Sequence, residues 1–133
     1  MTMALANGLN KPTTLKAIVV DDNIINAHYL KKMLVDEGMN ITVVSDVTNL
    51  IQLISENEIK MIFLNSETLG PKFQEIISTI RVSVNHALVI IGTTPYSLEG
   101  ARKRLIGMGA EYALSTPIYK NHLHDILKTV TIA

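Results

Sequence analysis

The side chains best equipped for chemistry in this chain of 133 residues gather just after short apolar runs. Asp21 and Asp22 follow residues 16–20 (KAIVV), and Asn65 follows residues 60–64 (KMIFL). Thr93 and Thr94 follow residues 88–92 (LVIIG), and Thr116 with Pro117 closes the run that begins at Tyr112. Adjacent carboxylates are hard oxygen ligands of the kind Mg²⁺ accepts alongside water. Asn65 is different: a carboxamide has an acceptor oxygen and two N–H donors but no anionic oxygen to attack an electrophile. Threonines at such places are hydrogen-bonding groups, and no His or Lys is spaced to serve Thr93 or Thr94 as a base.

Other chemistries are excluded or left bare. With no cysteine there is no disulfide framework, thiolate metal site or thiol nucleophile, which agrees with a reducing, cytoplasmic setting. Neither G-x-x-x-x-G-K-[ST] nor G-x-G-x-x-G occurs, so no glycine-rich loop is available to cradle a nucleotide phosphate. His122 and His124 are two apart and point to different helix faces, a surface pair rather than a metal site. Lys+Arg and Asp+Glu number 12 each, which gives no sign of a nucleic-acid or membrane-surface partner. The opening segment lacks a basic region before an apolar run, and no run approaches the roughly 18 apolar residues of a spanning helix.

The elements that position these groups follow from the apolar pattern. Hydrophobic residues make up 47% of the chain and charged ones 18%, enough for one globular domain. Residues 1–14 lack periodicity and read as a flexible lead-in, with the domain occupying 15–133. Strands are expected over 16–20, 41–45, 60–64, 88–92 and 112–114. Helices are expected over 24–37, with Gly38 as the stop, around Leu50, Leu53 and Ile54, and over 71–84, 97–107 and 119–130. Ser45 or Asp46 is the expected cap of the second helix. Short continuous apolar strands alternating with amphipathic helices predict a three-layer α/β domain with a parallel sheet covered on both faces. In such sheets the ligand sits beyond the carboxyl ends of the strands, where the groups named above fall.

Taken together, VVDDN, the polar end of MIFLN, the hydroxyl in IIGTT and the closing GAEYALSTPI resemble the receiver domain of two-component response regulators. The likeness runs from about Leu15 to Val130, and DDNIIN is most similar to receivers joined to hybrid histidine kinases. It implies a flavodoxin-like (βα)5 fold with strand order 2-1-3-4-5. It also implies phosphoryl transfer from a phosphohistidine to an aspartate after the third strand, with Mg²⁺ held by that aspartate, the acid pair and a backbone carbonyl two residues on. Carried over, Asp21 and Asp22 match the acid pair and Thr94 the hydroxyl that reports the modification. Asn65 stands at the phosphoacceptor position, Thr116 at that of a phosphate-contacting lysine, and Ala113 at that of a reporting aromatic, with Tyr112 out of register. Thr68 and Leu69 replace the usual Met-Pro.

The resemblance therefore implies a receiver that does not take a phosphoryl group, because a neutral amide forms no stable acyl phosphate and the stabilising cation is missing too. Losing one acid and one ammonium together keeps the local charge balance unchanged. The expectation is a non-enzymatic pseudo-receiver that works by protein contact, with a histidine kinase or another two-component protein as partner. No cofactor is required; Asp22, the Asn65 amide oxygen and the Glu67 carbonyl form a candidate weak Mg²⁺ site, with Asp21 acting through water. The interaction face expected from the family combines Arg102, Arg104, Tyr112, Ala113, Tyr119, Lys120 and His122, since Arg and Tyr favour interface anchors. Two rival readings stand beside it: a sensor in which an anionic small molecule or nucleotide replaces phosphorylation, and a residual phosphoreceiver using Asp21 or Asp22. The Thr116–Pro117 bond is expected to be cis, as in the family.

Overall fold

The computed structural model describes residues 15–132, with side chains described as far as residue 130. The expected lead-in over 1–14 and Ala133 lie outside the described residues. Five parallel strands form one sheet in the order β2-β1-β3-β4-β5. They are β1 Lys16–Val20, β2 Asn40–Val44, β3 Met61–Asn65, β4 Val89–Thr94 and β5 Tyr112–Ser115. The helices are α1 Ile24–Asp36, α2 Leu50–Glu56, the one-turn α3 Ser66–Leu69, α4 Phe73–Ser83, α5 Glu99–Gly107 and α6 Lys120–Ile132.

Period-two alternation sorts the strand residues into two cores. Val19, Phe63, Ile91 and Leu114 pack with Leu30 and Leu34 of α1 and Leu123 and Leu127 of α6. Ile18, Val20, Ile62, Leu64 and Ile90 pack on the other face with Ile54, Phe73, Ile77, Ile80 and Leu105. The three central strands are buried on both faces, which is why their sequences are continuously apolar. At Gly92 the fit is tight: a Cβ there would sit 3.0 Å from both Leu105 and Phe73.

Several boundaries differ from expectation for identifiable reasons. The helix expected over 71–84 is broken: Asn65 caps a separate turn (α3), Gly70 turns the chain at φ 55°, and a 3-10 turn Gly70–Lys72 leads into α4. Neither Ser45 nor Asp46 caps α2; its N-cap is Asn49, which makes no side-chain cap bond. Asp46 instead accepts the Thr48 amide at 2.9 Å, closing a turn ahead of the helix. Ile25 and Tyr29, which share helical spacing with Leu30, Met33 and Leu34, lie largely exposed at 80% and 50%, while Ala27, Leu30 and Leu34 face the sheet. The Thr116–Pro117 bond is cis, as expected. No helix among the described residues is long and apolar enough to cross a membrane.

Candidate functional site

The carboxyl ends of β1, β3 and β4 bring the expected groups together by register. Val20 pairs with Leu64 and Asn65 with Thr93, so the residues just beyond share one edge of the sheet. Asp21 continues β1, its amide donating to the Val44 carbonyl at 3.0 Å, and its side chain is only 6% exposed. Its Oδ1 accepts the Asn23 amide at 2.9 Å. Asp22 lies at the surface and Asn65 is buried at 4% exposure.

Asn65 is held at both ends of its amide. Oδ1 accepts the Thr68 backbone N–H at 2.9 Å, capping α3, while Nδ2 donates to Thr93 Oγ1 at 3.2 Å. The Thr68 N–H requires an acceptor at one end of the amide, and the Thr93 hydroxyl can accept from the other. Thr68 completes the arrangement. Its hydroxyl lies 2.9 Å from Asp22 Oδ1 and 3.2 Å from Asn65 Oδ1, and it accepts the Asp22 amide at 3.0 Å. One neutral hydroxyl thus ties the end of β1 to the start of α3.

Electrostatics follow from this packing. Burial raises the Asp21 carboxyl above its ordinary pKa, the Asn23 amide opposes that rise, and the neighbouring Asp22 charge adds to it. Neither acid is in an ion pair among the described residues. Each side chain expected to hold Mg²⁺ has one oxygen that already accepts a hydrogen bond. Asn65 Oδ1 is occupied by Thr68, Asp22 Oδ1 receives the Thr68 hydroxyl, and Asp21 Oδ1 receives the Asn23 amide. Among the described residues no group of three or more His, Cys, Asp or Glu could hold a metal ion. Glu67 lies exposed on α3.

Thr94, expected beside the acid pair, is buried, and its hydroxyl accepts the Tyr96 amide of its own loop at 3.3 Å. The threonine that touches Asn65 is Thr93, one residue earlier. The roles of Thr68 and Thr93 as partners of Asn65 do not follow from the resemblance. Thr68 had a readable signal, standing three residues after an Asn at a strand end as in an N-cap. Thr93 required the register of β3 with β4. Thr116 lies at the end of β5, its amide donating to the Thr94 carbonyl at 2.8 Å. A cavity of about 200 Å³ lies between α1 and the segment after β5, lined by Asp21, Leu30, Thr93, Thr116, Pro117 and Ile118 among others.

The expected interaction face divides. Arg104, Tyr119, Lys120 and His122 are exposed, and the rings of Tyr119 and His122 meet edge to face at 5.8 Å. Arg102 is spent internally: Nη1 donates to the Ser97 carbonyl at 2.8 Å and to Ser115 Oγ at 2.9 Å. Ser115 in turn donates to the Tyr96 carbonyl at 2.9 Å, so the β4–α5 loop is latched to β5. Tyr112 packs on the core shared with α6 and Ala113 on the opposite one, because adjacent strand residues face opposite ways.

Known proteins place this geometry. The sequence model of the response regulator receiver domain matches residues 17–128. The chain is 24% identical over 115 residues to the autoinducer 2 sensor kinase/phosphatase LuxQ of Vibrio cholerae, covering 86% of this chain and 13% of that protein. It is 30% identical over 123 residues to the osmosensing histidine protein kinase SLN1 of Saccharomyces cerevisiae, covering 86% and 10% respectively. The chain thus spans only a small part of these relatives' length. A response regulator from Thermotoga maritima shares the fold, with TM-score 0.78 at 17% identity, covering 91% of this chain and all of that one. A CheY-like receiver domain from Methylobacillus flagellatus gives 0.76 at 15% identity, covering 89% and 99%. With the sheet order, the acid pair and the family match in agreement, this chain belongs to the response regulator receiver domain family of two-component signalling.

Proposed function

We propose that this receiver acts without phosphorylation, as a protein-interaction and regulatory module whose partner is a histidine kinase or another two-component protein. The observation that carries this reading is the state of Asn65: neutral, buried, and bonded at both ends of its amide. A group in that position offers no anionic oxygen to phosphorus. Phosphoryl transfer otherwise depends on positioned charge, and Thr116 brings none where the family places a cation. Asp21 and Asp22 are poor substitutes as acceptors. One is buried and the other is tied to Thr68, so the residual-phosphoreceiver reading finds little support. The anionic-ligand reading is weakened as well, because Arg102 is engaged with Ser97 and Ser115 and, among the described residues, the one charged group lining the cavity is acidic. Relatives named as sensor kinases support a kinase partner. Incubation with acetyl phosphate and Mg²⁺, followed by intact mass, is expected to show no added phosphoryl group. Stoichiometric addition overturns the reading.

A further inference from the structure

The cavity beside Asp21 joins two properties that seldom meet. Its walls include the hydrocarbon of Leu30, Pro117 and Ile118, yet among the described residues its one charged lining group is Asp21, a carboxylate at 6% exposure. Asp21 Oδ1 takes the Asn23 amide, while Oδ2 meets no hydrogen-bond donor among the described residues. A buried anion without a counter-charge is costly, and a cation brought to it relieves that cost. Apolar walls around one anion select a cation with an alkyl stem rather than a hydrated metal ion. An ammonium is a compact charge with three donors, and Asp21, Thr93 and Thr116 are among the lining residues whose oxygens can accept from it. Cavities of about 150 Å³ hold a benzene-sized guest, so the space here, about 200 Å³, is ample for a short alkyl chain.

We propose that this cavity binds a primary alkylammonium group with a short aliphatic stem, supplied by a free alkylamine or by a lysine side chain of a partner protein. The inference goes beyond the loss of phosphotransfer and does not depend on it. It is tested on the full chain, ¹⁵N-labelled, by titrating n-butylammonium chloride against n-butanol at constant ionic strength. Saturating shifts are expected at the amides of Asn26, Thr116 and Ile118. The affinity should exceed that for n-butanol by about tenfold or more, the margin of one charge-assisted contact. Asp21→Asn keeps an acceptor for the Asn23 amide and is expected to abolish that preference. Thr116→Lys is expected to fill the cavity from within and block the amine; if it does not fold, Asp21→Asn decides alone. Equal responses to amine and alcohol, or undiminished amine binding in Asp21→Asn, overturn the proposal. Tighter binding of Nα-acetyl-lysine methylamide than of n-butylammonium assigns the site to a partner's lysine, and the reverse order assigns it to a free amine.

Discussion

At Thr68 a single hydroxyl proton lies between the acceptor oxygens of Asp22 and Asn65, the second of which also takes the Thr68 backbone N–H. Thr68→Val keeps the shape and removes that proton, so it is expected to cost about 1–2 kcal/mol in urea unfolding, with Thr68→Ser close to wild type. An unchanged midpoint in the valine variant would count against the tie. Asp21 carries the pH dependence. Its folded-state pKa is raised, chiefly by burial, so the folded chain holds the proton more tightly than the unfolded one. Stability on this account rises as pH falls through that raised value, and the ionised carboxylate costs stability at neutral pH. Asp21→Asn is accordingly expected to raise Tm at pH 7 and to flatten the dependence of Tm on pH just above the ordinary carboxylate range. A lower Tm at pH 7 would show that the charge is stabilised by something other than the Asn23 amide.

Among the elements, β4 and β5 are held partly by a side chain. Glu111 Oε1 accepts the Ile90 amide at 2.7 Å and also meets Arg81 from α4, while the Glu111 amide donates to the Ile90 carbonyl at 2.8 Å. Glu111→Ala strips the Ile90 N–H of its partner and is expected to cost about 1–2 kcal/mol, read by chemical denaturation. Arg81→Ala leaves that bond in place but removes the ion pair, about 40% exposed, and the hydrogen bond from Arg81 Nη1 to the Leu88 carbonyl at 2.9 Å, and is expected to cost about 1 kcal/mol. The alternation of apolar runs and amphipathic stretches made the five strands, the covered sheet and the position of the acid pair legible from sequence. The broken helix at 66–72 was not, because Pro71 suits a helical first turn and the competing cap from Asn65 shows only once β3 ends there. Arg102 sits in a run of charges that reads as a solvated face, and nothing in its neighbours reveals that Ser115 is its partner across the sheet edge. Sequence spacing likewise could not separate Thr93 from Thr94, which the pleat sends to different surroundings.

For the whole molecule, the acid pair and the exposed groups on α5 and α6 are joined by a sheet edge that side chains tie together. Asn65 is fixed to Thr93 and Thr68, Thr94 to its own loop, and that loop to β5 through Arg102 and Ser115. The amide spectrum of the domain after acetyl phosphate and Mg²⁺ is therefore expected to overlay the untreated one at α5 and α6, extending the intact-mass result to shape. Shifts confined to α5 and α6 would reveal a connection that these hydrogen bonds do not carry.

The latch formed by Arg102 and Ser115 has a consequence for how such a domain would convey information. A loop pinned to the neighbouring strand holds one surface toward a partner, so under the proposed function occupancy would follow copy number and location. Under the proposed function such a protein would work as a titrant, its dose setting the bound fraction of its partner.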